Sequence, residues 1–227
     1  MAEEQKKDSK QRIFDAAVSL FARKGFSAVG IREIAKTAHV NISMINYYFG
    51  EKVGILKAII DECYDKYYRA IHDCGGEATL REECVQRIIK NLIAFFRENT
   101  EIAMVSFNTI PVDIPAVLEI KCRWVAEERT MTTPYFREFG LNTDDPIQMN
   151  FIRGLLTTII TEHFRCRYTW EHIVQRAGTS HVMKNYLEHD AEMKYDDHFY
   201  EQFAELLTKF YIHGVRGISH QLQSNEK

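Results

Sequence analysis

The chain has 227 residues, of which 45% are hydrophobic, so it can bury a real core as one large domain or two small ones. The formal net charge is −3, but Met1 through Lys57 carry ten Lys and Arg against six Asp and Glu, and the remainder carries nineteen against twenty-six. The positive charge is therefore concentrated in the N-terminal part, where it suits a nucleic-acid partner.

Targeting, membrane and metal signals are absent from the sequence. Residues 1–10 are polar, so they do not read as a signal peptide, and no apolar run approaches the ~20 residues that span a bilayer. The five cysteines lack zinc-ligand spacing. We therefore expect a soluble cytoplasmic protein with reduced thiols, no metal and no cofactor.

The first predicted helix begins near Asp8-Ser9, where Asp8 and Gln11 have the spacing of a capping box. Its apolar residues recur at helical spacing and form one inward face: Ile13, Ala17, Leu20 and Phe21. Gly25 follows as the residue expected to end the helix in a left-handed conformation.

Two short helices joined by a tight turn are predicted between Ile31 and Phe49. The first carries apolar residues on one face, namely Ile31, Ile34, Ala35 and Ala38. His39 is expected at the positive-φ position of the turn, where Gly is commonest but His is tolerated better than a β-branched residue. Asn41 is expected to be the N-cap of the second helix, because its side-chain oxygen can accept from an unpaired backbone N–H.

In the second of these helices, Ile45 and Phe49 lie one turn apart and are expected to face inward. That leaves small, amide and phenolic side chains on the other faces, with Lys52 just beyond, and such groups suit base edges and phosphates. These side chains are Ser43, Met44, Asn46, Tyr47 and Tyr48.

The rest of the chain predicts a series of further helices. The first runs over 51–72, and the second is opened by a capping box from Thr79 to Glu82. Two more are expected at 101–108 and 115–138, and another begins at Asp145-Pro146 and reaches about Phe164. One or two short helices interrupted near Gly178 are expected in 165–195, and a last helix is capped by Asp197. No segment has sustained period-two alternation, so the sequence predicts an all-α fold of about nine helices. We divide it into a three-helix head, 1–50, and a helical bundle, 51–227.

Signals of enzymatic chemistry are missing. The chain contains no G-x-G-x-x-G, P-loop, G-x-S-x-G or H-E-x-x-H sequence. A di-iron site in a helical bundle would need Glu-x-x-His pairs, and no histidine has Glu three residues before it. The sequence therefore indicates that the protein is not an enzyme.

From about Gln11 to Ile60 the chain resembles the tetracycline-repressor (TetR) family of bacterial transcription regulators. The resemblance rests on many residues at fixed offsets: Ile13, Ala16-Ala17, Leu20-Phe21, Lys24-Gly25-Phe26, Ile34-Ala35, Tyr47-Tyr48-Phe49, Lys52 and Leu56. Val29-Gly30 and His39 depart from the family pattern, which usually has Thr at the first position and Gly at His39. The first departure removes a hydroxyl contact to phosphate and leaves backbone N–H groups, at Gly30, to supply it.

The resemblance implies a homodimer that binds a pseudo-palindromic double-stranded DNA operator. By this resemblance, Asn41, Ser43, Tyr47, Tyr48 and Lys52 contact phosphates. Met44 and Asn46 are expected to read bases, with apolar base contacts from Ile42 as well.

The same resemblance implies a pocket for a small molecule and a dimer seam in the bundle. The candidate pocket residues are Asn108, Trp124, Leu156, Ile159 and His163, although packing roles compete with ligand contact for each. The candidate seam residues are Gly154, Ile160, Phe203 and Phe210. The apolar character of the bundle favours an apolar or amphipathic effector.

The sequence thus predicts an effector-released transcriptional repressor. Three alternatives stay open: an activator with the same DNA-binding chemistry, a regulator controlled by a protein partner, and an all-α enzyme or carrier with a vestigial head. Loss of DNA affinity on substitution of Asn46 or Tyr47 would exclude the last of these.

Overall fold

A computed structural model describes residues 2–72, 82–107, 111, 113–138, 141–177 and 194–225. Within these ranges all regular secondary structure is helical, which confirms the predicted all-α class. The described helices are α1 (Ala2–Lys24), α2 (Ile31–Thr37), α3 (Ile42–Phe49), α4 (Lys52–His72), α5 (Glu82–Glu98), α6 (Thr100–Phe107), α7 (Pro115–Glu138), α8 (Pro146–Ala177) and α9 (Asp197–Asn225). None of them is long and apolar enough to cross a bilayer.

The chain divides into two compact units. The first comprises Met1–Tyr68 and Asn99–Glu128, and so holds α1 to α3, most of α4, α6 and the first part of α7. The second comprises Arg69–Glu98 and Arg129–Lys227. The predicted division at residue 50 is a different one, since it separates an expected DNA-binding head from the rest of the chain, and it stays a prediction.

In the first unit, α1 supplies the core of the head. The four residues of its predicted inward face, Ile13, Ala17, Leu20 and Phe21, are all buried. Gly25 ends the helix at φ 81°, as predicted, and its N–H donates to the Phe21 carbonyl. The start of α1 was predicted wrongly: the helix begins at Ala2, so Asp8 lies inside it, because Ala, Glu, Gln and Lys before Asp8 are strong helix formers.

In the second unit, aromatic rings hold α5, α8 and α9 together. The rings of Phe96 and Phe164 stack with centroids 5.5 Å apart, and Phe164 stacks in turn on Tyr200 at 5.6 Å. Phe96 and Phe164 are almost completely buried. Each fully buried ring of this size stabilises the fold by about 1.5–3 kcal/mol relative to an exposed one.

The boundaries of α8 and α9 confirm one predicted cap and correct another. Asp145 caps α8, since its carboxylate accepts from the Ile147 N–H at 2.8 Å. Asp196, not Asp197, caps α9: the Phe199 N–H donates to the Asp196 carboxylate at 3.0 Å, while the Asp197 carboxylate pairs with Arg97 at 2.8 Å.

The stretch after Phe164 is not a separate short helix. It continues α8 to Ala177, because no Pro or Gly interrupts the sequence between Gly154 and Ala177. An Arg167–Glu171 ion pair at helical spacing adds local support. The predicted break at Gly178, the glycines at 75 and 76 and the first three residues of the capping box at 79–82 lie outside the described residues.

Candidate functional site

The turn between α2 and α3 has the geometry that the sequence predicts. His39 is the one non-glycine residue with positive φ in the described chain, at 53°. Asn41 caps α3, and its side-chain oxygen accepts from the backbone N–H and the hydroxyl of Ser43 at 3.0 and 3.1 Å. Such a cap stabilises a helix by about 1 kcal/mol, so it fixes where the short α3 begins.

An arginine that the sequence analysis missed also holds this turn. The guanidinium of Arg12, on α1, donates to the carbonyl oxygens of Ala38 at 3.2 Å and His39 at 3.4 Å. These carbonyls belong to the end of α2, where helix carbonyls lack partners and a positive charge is favourable. No pattern in sequence signals this contact, because Arg12 is 26 residues from Ala38.

Buried apolar residues pack the two short helices against α1. Ile34 and Ala35 of α2 and Ile45 of α3 are all buried, as predicted. Phe49 is only partly buried and lies 5.9 Å from the ammonium of Lys10. Helix α3 is thus attached by one face and leaves the others available to a partner.

The exposed face of α3 carries the residues predicted to contact DNA. Asn41, Ser43, Asn46 and Tyr47 are exposed, and the side chain of Tyr47 is 71% exposed. Ile42 and Met44 are partly exposed at its edges. Gly30 is exposed at the N-cap of α2 without a side-chain cap. Their contacts to DNA remain predictions.

Tyr48 and Lys52 are placed differently from their neighbours. The Tyr48 hydroxyl is buried and has no hydrogen-bond partner among the described residues, so it cannot reach a phosphate in this conformation. The Lys52 ammonium donates to the carbonyl oxygens of Phe26 at 3.0 Å and Val29 at 2.9 Å, and lies 4.1 Å from the Phe26 ring centroid. Lys52 therefore ties the start of α4 to the loop before α2, with one N–H donor left over for a phosphate.

Gly54 is a second position that the sequence analysis missed. It lies in the first turn of α4, where a Cβ would overlap the backbone carbonyl of Phe49 at the end of α3. Only glycine permits this close approach. The available signal was a lone Gly within an otherwise regular helical pattern, which often marks tight packing.

Among the predicted pocket residues, Trp124 lies in the first unit and Asn108 lies outside the described residues. The Trp124 ring stacks on Tyr64 at 5.0 Å and on Tyr68 at 4.8 Å, and the Tyr68 hydroxyl donates to the Trp124 carbonyl oxygen at 2.6 Å. Tyr67 and Phe107 complete what we call the aromatic cluster. Burial raises the pKa of both Tyr64 and Tyr68, so these phenols stay neutral.

Leu156, Ile159 and His163 lie on α8 in the second unit, and all three are partly buried. The His163 ring packs against Phe203 at 4.8 Å and Phe199 at 5.7 Å, and its Nε2 lies 3.5 Å from the Tyr200 hydroxyl. Burial, with the nearby positive charge of Arg167, lowers the pKa of His163. Its ligand role stays a prediction beside this packing role.

A cavity of about 300 Å³ lies between α5 and α9, and none of its lining residues was predicted to line a pocket: Lys90, Ile93, Ala94, Arg97, Asp197, Tyr200 and Glu201. Arg97 is held there by its ion pair with Asp197 and by the Tyr200 ring, 4.6 Å from its guanidinium carbon. Two basic and two acidic side chains thus line this cavity, and Arg97 and Asp197 among them form an ion pair.

The predicted seam residues on α8 and α9 divide by exposure. Gly154 and Phe210 are exposed and Phe203 is partly buried, whereas Ile160 is completely buried within the single chain and has no surface to offer a partner. Other large apolar side chains on these helices are exposed: Ile147, Phe151, Val174 and Leu206.

Helix α3 is capped, follows a tight turn after α2, packs on α1 by one face and is exposed on the others. This arrangement defines a DNA-binding protein of the helix-turn-helix class. Residues 13–59 match the tetR family of bacterial regulatory proteins. This match lies within the segment from Gln11 to Ile60 whose resemblance to the family was inferred from the sequence, and it confirms that resemblance.

Individual relatives agree with that assignment. The chain is 23% identical to the "Probable HTH-type transcriptional regulator YttP" of Bacillus subtilis over 81% of this chain and 90% of YttP. Its fold is similar to the fatty acid degradation regulator FadR of Bacillus halodurans, with a TM-score of 0.61, 16% identity and coverage of 92% of this chain and 96% of that one. FadR of Bacillus subtilis, solved in complex with stearoyl-CoA, gives a TM-score of 0.58 at 19% identity over 89% of this chain and 97% of that one.

Proposed function

We propose that the protein is a homodimeric repressor that binds a pseudo-palindromic operator and is released by a small amphipathic effector. The observation that carries this proposal is the exposed face of α3, held in position by the Asn41 cap and the buried Ile45. A repressor of this kind places two such helices about 34–36 Å apart, in successive major grooves on one side of the DNA.

On the DNA, the exposed residues divide into two kinds of contact. Asn46 is proposed to read an adenine with both ends of its amide, and Met44 and Ile42 to touch thymine methyl groups. Tyr47, Ser43, Asn41 and the backbone N–H at Gly30 are proposed to bind phosphates and so fix the register. The buried hydroxyl of Tyr48 argues against the phosphate contact predicted for it, whereas Lys52 retains one donor for such a contact.

For the dimer, we propose a seam on α8 and α9. Its support is that large apolar side chains on both helices are exposed, among them Phe151 on α8 and Leu206 and Phe210 on α9, and that Gly154 on α8 is exposed as well. Apolar surface of this kind gains stability when a second copy covers it. The buried Ile160 drops out of the proposed seam.

For the effector, we propose an amphipathic molecule of the fatty acid or fatty acyl-CoA class. The buried apolar faces of the helices after residue 50 favour an apolar ligand portion, and one regulator with a similar fold was solved with stearoyl-CoA. To convert a mostly DNA-competent dimer into a mostly incompetent one, the effector must favour one state by about 5 kcal/mol.

Selection of genomic DNA fragments by the purified full-length protein tests this function. The expected result is a small set of fragments that share a twofold-symmetric sequence, with binding that weakens steeply as salt rises. Palmitoyl-CoA and palmitate are then titrated against the selected DNA. Recovery of no preferred sequence would contradict the repressor proposal.

A further inference from the structure

Two buried hydrogen-bond donors in the first unit lie beside one turn of α4 and lack an ordinary acceptor. The indole Nε1 of Trp124 is buried and has no partner among the described residues, and the whole side chain is 7% exposed. The Ser106 hydroxyl, on α6, is completely buried beside the Cys63 thiol, whose sulfur is at most a weak acceptor. Buried donors without acceptors are rare in folded proteins, so such groups call for an explanation.

A positive charge lies beside the same turn. Lys121 precedes Trp124 by three residues on α7, and its ammonium lies 5.7 Å from the centroid of the Tyr64 ring. Within the described part of the chain, no carboxylate pairs with it. Burial lowers the pKa of Lys121, and burial also raises the pKa of the neighbouring Cys63 thiol to about 12, so this thiol stays neutral and supplies no countercharge.

All three groups lie beside Cys63 and Tyr64, which are adjacent on α4. Ser106 and Lys121 are near the Cys63 thiol. The Lys121 ammonium lies 5.7 Å from the centroid of the Tyr64 ring, and the Trp124 ring stacks on Tyr64 at 5.0 Å. We propose that the donor cluster of Ser106, Lys121 and Trp124 binds the carboxylate of an amphipathic effector. The cluster offers two neutral donors and one cation, and a carboxylate matches it by offering several acceptor positions and one negative charge.

This inference rests on the proposed effector-responsive function and names the chemical group that the effector presents. Its position suits a regulatory role, since α4 directly follows the DNA-binding α3. Phe107, the residue after Ser106, contacts Tyr64 at 5.6 Å and Tyr67 at 5.4 Å. Helix α6 also packs on α1, where the Ser19 hydroxyl donates to the Glu101 carboxylate at 3.3 Å. A carboxylate in the donor cluster would therefore act on two helices that contact the DNA-binding head.

The test uses the full chain and palmitate, with the two indole N–H signals in a nitrogen–proton NMR spectrum as the readout. The chain has two tryptophans, Trp124 and Trp170, and loss of one signal in Trp124→Phe assigns the pair. Palmitate is expected to move the Trp124 signal downfield, because its N–H gains an acceptor, and to leave the Trp170 signal in place.

Calorimetry measures what each donor contributes. Lys121→Gln and Trp124→Phe are each expected to weaken palmitate binding about tenfold, the size of one lost hydrogen bond to a charged group. Lys121→Arg keeps the charge and is expected to retain most of the affinity. The control is Lys57→Gln, an exposed lysine on α4 outside the cluster, which is expected to bind palmitate like the unmodified chain.

Each remaining outcome separates this inference from the proposed function. If palmitoyl-CoA releases the selected DNA while palmitate neither binds nor moves the Trp124 signal, the repressor proposal stands and the carboxylate site is wrong. The site is equally wrong if palmitate binds as tightly to Lys121→Gln and Trp124→Phe as to the unmodified chain. If the chain selects no DNA but palmitate binds through these residues, the site stands and the repressor proposal fails.

Discussion

Asn46 and Tyr47 are adjacent on α3 and both exposed, but their side chains suit different contacts with DNA. An amide can pair with an adenine edge through two hydrogen bonds, whereas a phenol hydroxyl bonds a phosphate oxygen of any nucleotide. Asn46→Ala is therefore expected to relax preference at one base pair per half-site, worth about 1–3 kcal/mol of discrimination. Tyr47→Ala is expected to weaken binding to all sequences equally.

Measured affinities for the selected operator and for single-base variants of it distinguish the two effects. Gln202→Ala, an exposed amide outside the head, serves as the control and should leave both affinity and preference unchanged. An unchanged operator affinity in both head variants would remove α3 from the DNA interface and favour a protein with a vestigial head.

The residues whose conformation could be predicted from the sequence are those whose conformation depends on neighbouring residues in the chain. The positive φ of His39 and the cap at Asn41 follow from residue type and position along a few residues, and both are confirmed. Arg12 and Lys52 act across 23 to 27 residues of sequence through backbone carbonyls, which any residue carries. Such contacts leave no residue-type signature, so one sequence without relatives cannot reveal them.

The close packing of the start of α4 against the end of α3 depends on Gly54. Because a Cβ there would overlap the Phe49 carbonyl, Gly54→Ala must displace the end of α3 or the start of α4. We expect it to lower the free energy of unfolding by about 2 kcal/mol, within the range of other overpacking substitutions. We also expect it to weaken operator binding more than the loss of stability alone explains, since α3 moves.

Asp65→Ala is the matched control, because Asp65 is exposed on the same helix and the replacement residue is the same. Urea unfolding and operator binding are measured for both variants. Equal stability of Gly54→Ala and Asp65→Ala would show that the junction adapts without cost.

The packing of α8 on α9 should depend on pH through His163. Burial and the charge of Arg167 lower its pKa in the folded state. The phenols of Tyr200, whose hydroxyl is 3.5 Å from Nε2, and of Tyr195, whose ring centroid is 5.8 Å away, also lie near its ring. The neutral ring is thus favoured by folding, so its contribution is complete above the unfolded pKa of about 6.5 and is lost as pH falls through the lower folded value. Acidification from pH 7 to pH 5 should therefore destabilise the fold.

Replacement of His163 by Phe removes this titration while keeping a ring among Phe164, Phe199 and Phe203. Urea unfolding at pH 7 and pH 5 should show a smaller acid loss in His163→Phe than in the unmodified chain. His213→Phe, at an exposed position on α9, is the control and should keep the full loss. The same acid loss in both variants would exclude His163 as its source.

For the elements, periodicity and capping residues predicted which segments are helical, and tertiary packing decided where some of them begin. Apolar spacing together with proline and capping positions places α4, α7 and the start of α8 within a residue of their observed bounds. Adjacent Asp196 and Asp197 are equivalent as caps in sequence, and the pairing of Asp197 with Arg97, a hundred residues earlier, separates their roles. The residues that line a pocket were the hardest to predict, because a cavity forms between helix faces, and periodicity shows only that a face is apolar.

For the whole molecule, the operator proposal requires a dimer, since one α3 reads only one half-site. Leu206 and Phe210 lie one turn apart on α9 and are 69% and 58% exposed in the single chain, which makes them the sharpest test of the seam. A glutamate at either position would place a charge in an apolar interface without a partner. We expect Leu206→Glu and Phe210→Glu to shift the protein from dimer to monomer and to lower operator affinity at least a hundredfold, about 2.7 kcal/mol.

Sedimentation at several protein concentrations measures the dimer, and circular dichroism verifies that the helices remain. Arg87→Glu, at an exposed position on α5, is the control. It lowers the net charge by two, whereas each seam variant lowers it by one, and it should stay dimeric. If it became monomeric too, the change in net charge alone would explain the monomer. In this proposal, dimerisation through the seam is what places the two α3 helices on the operator. The loss of the dimer and the loss of operator affinity must therefore occur together. A variant that is monomeric yet binds the full operator with unchanged affinity would separate them and exclude the α8–α9 seam as the means by which the heads are paired.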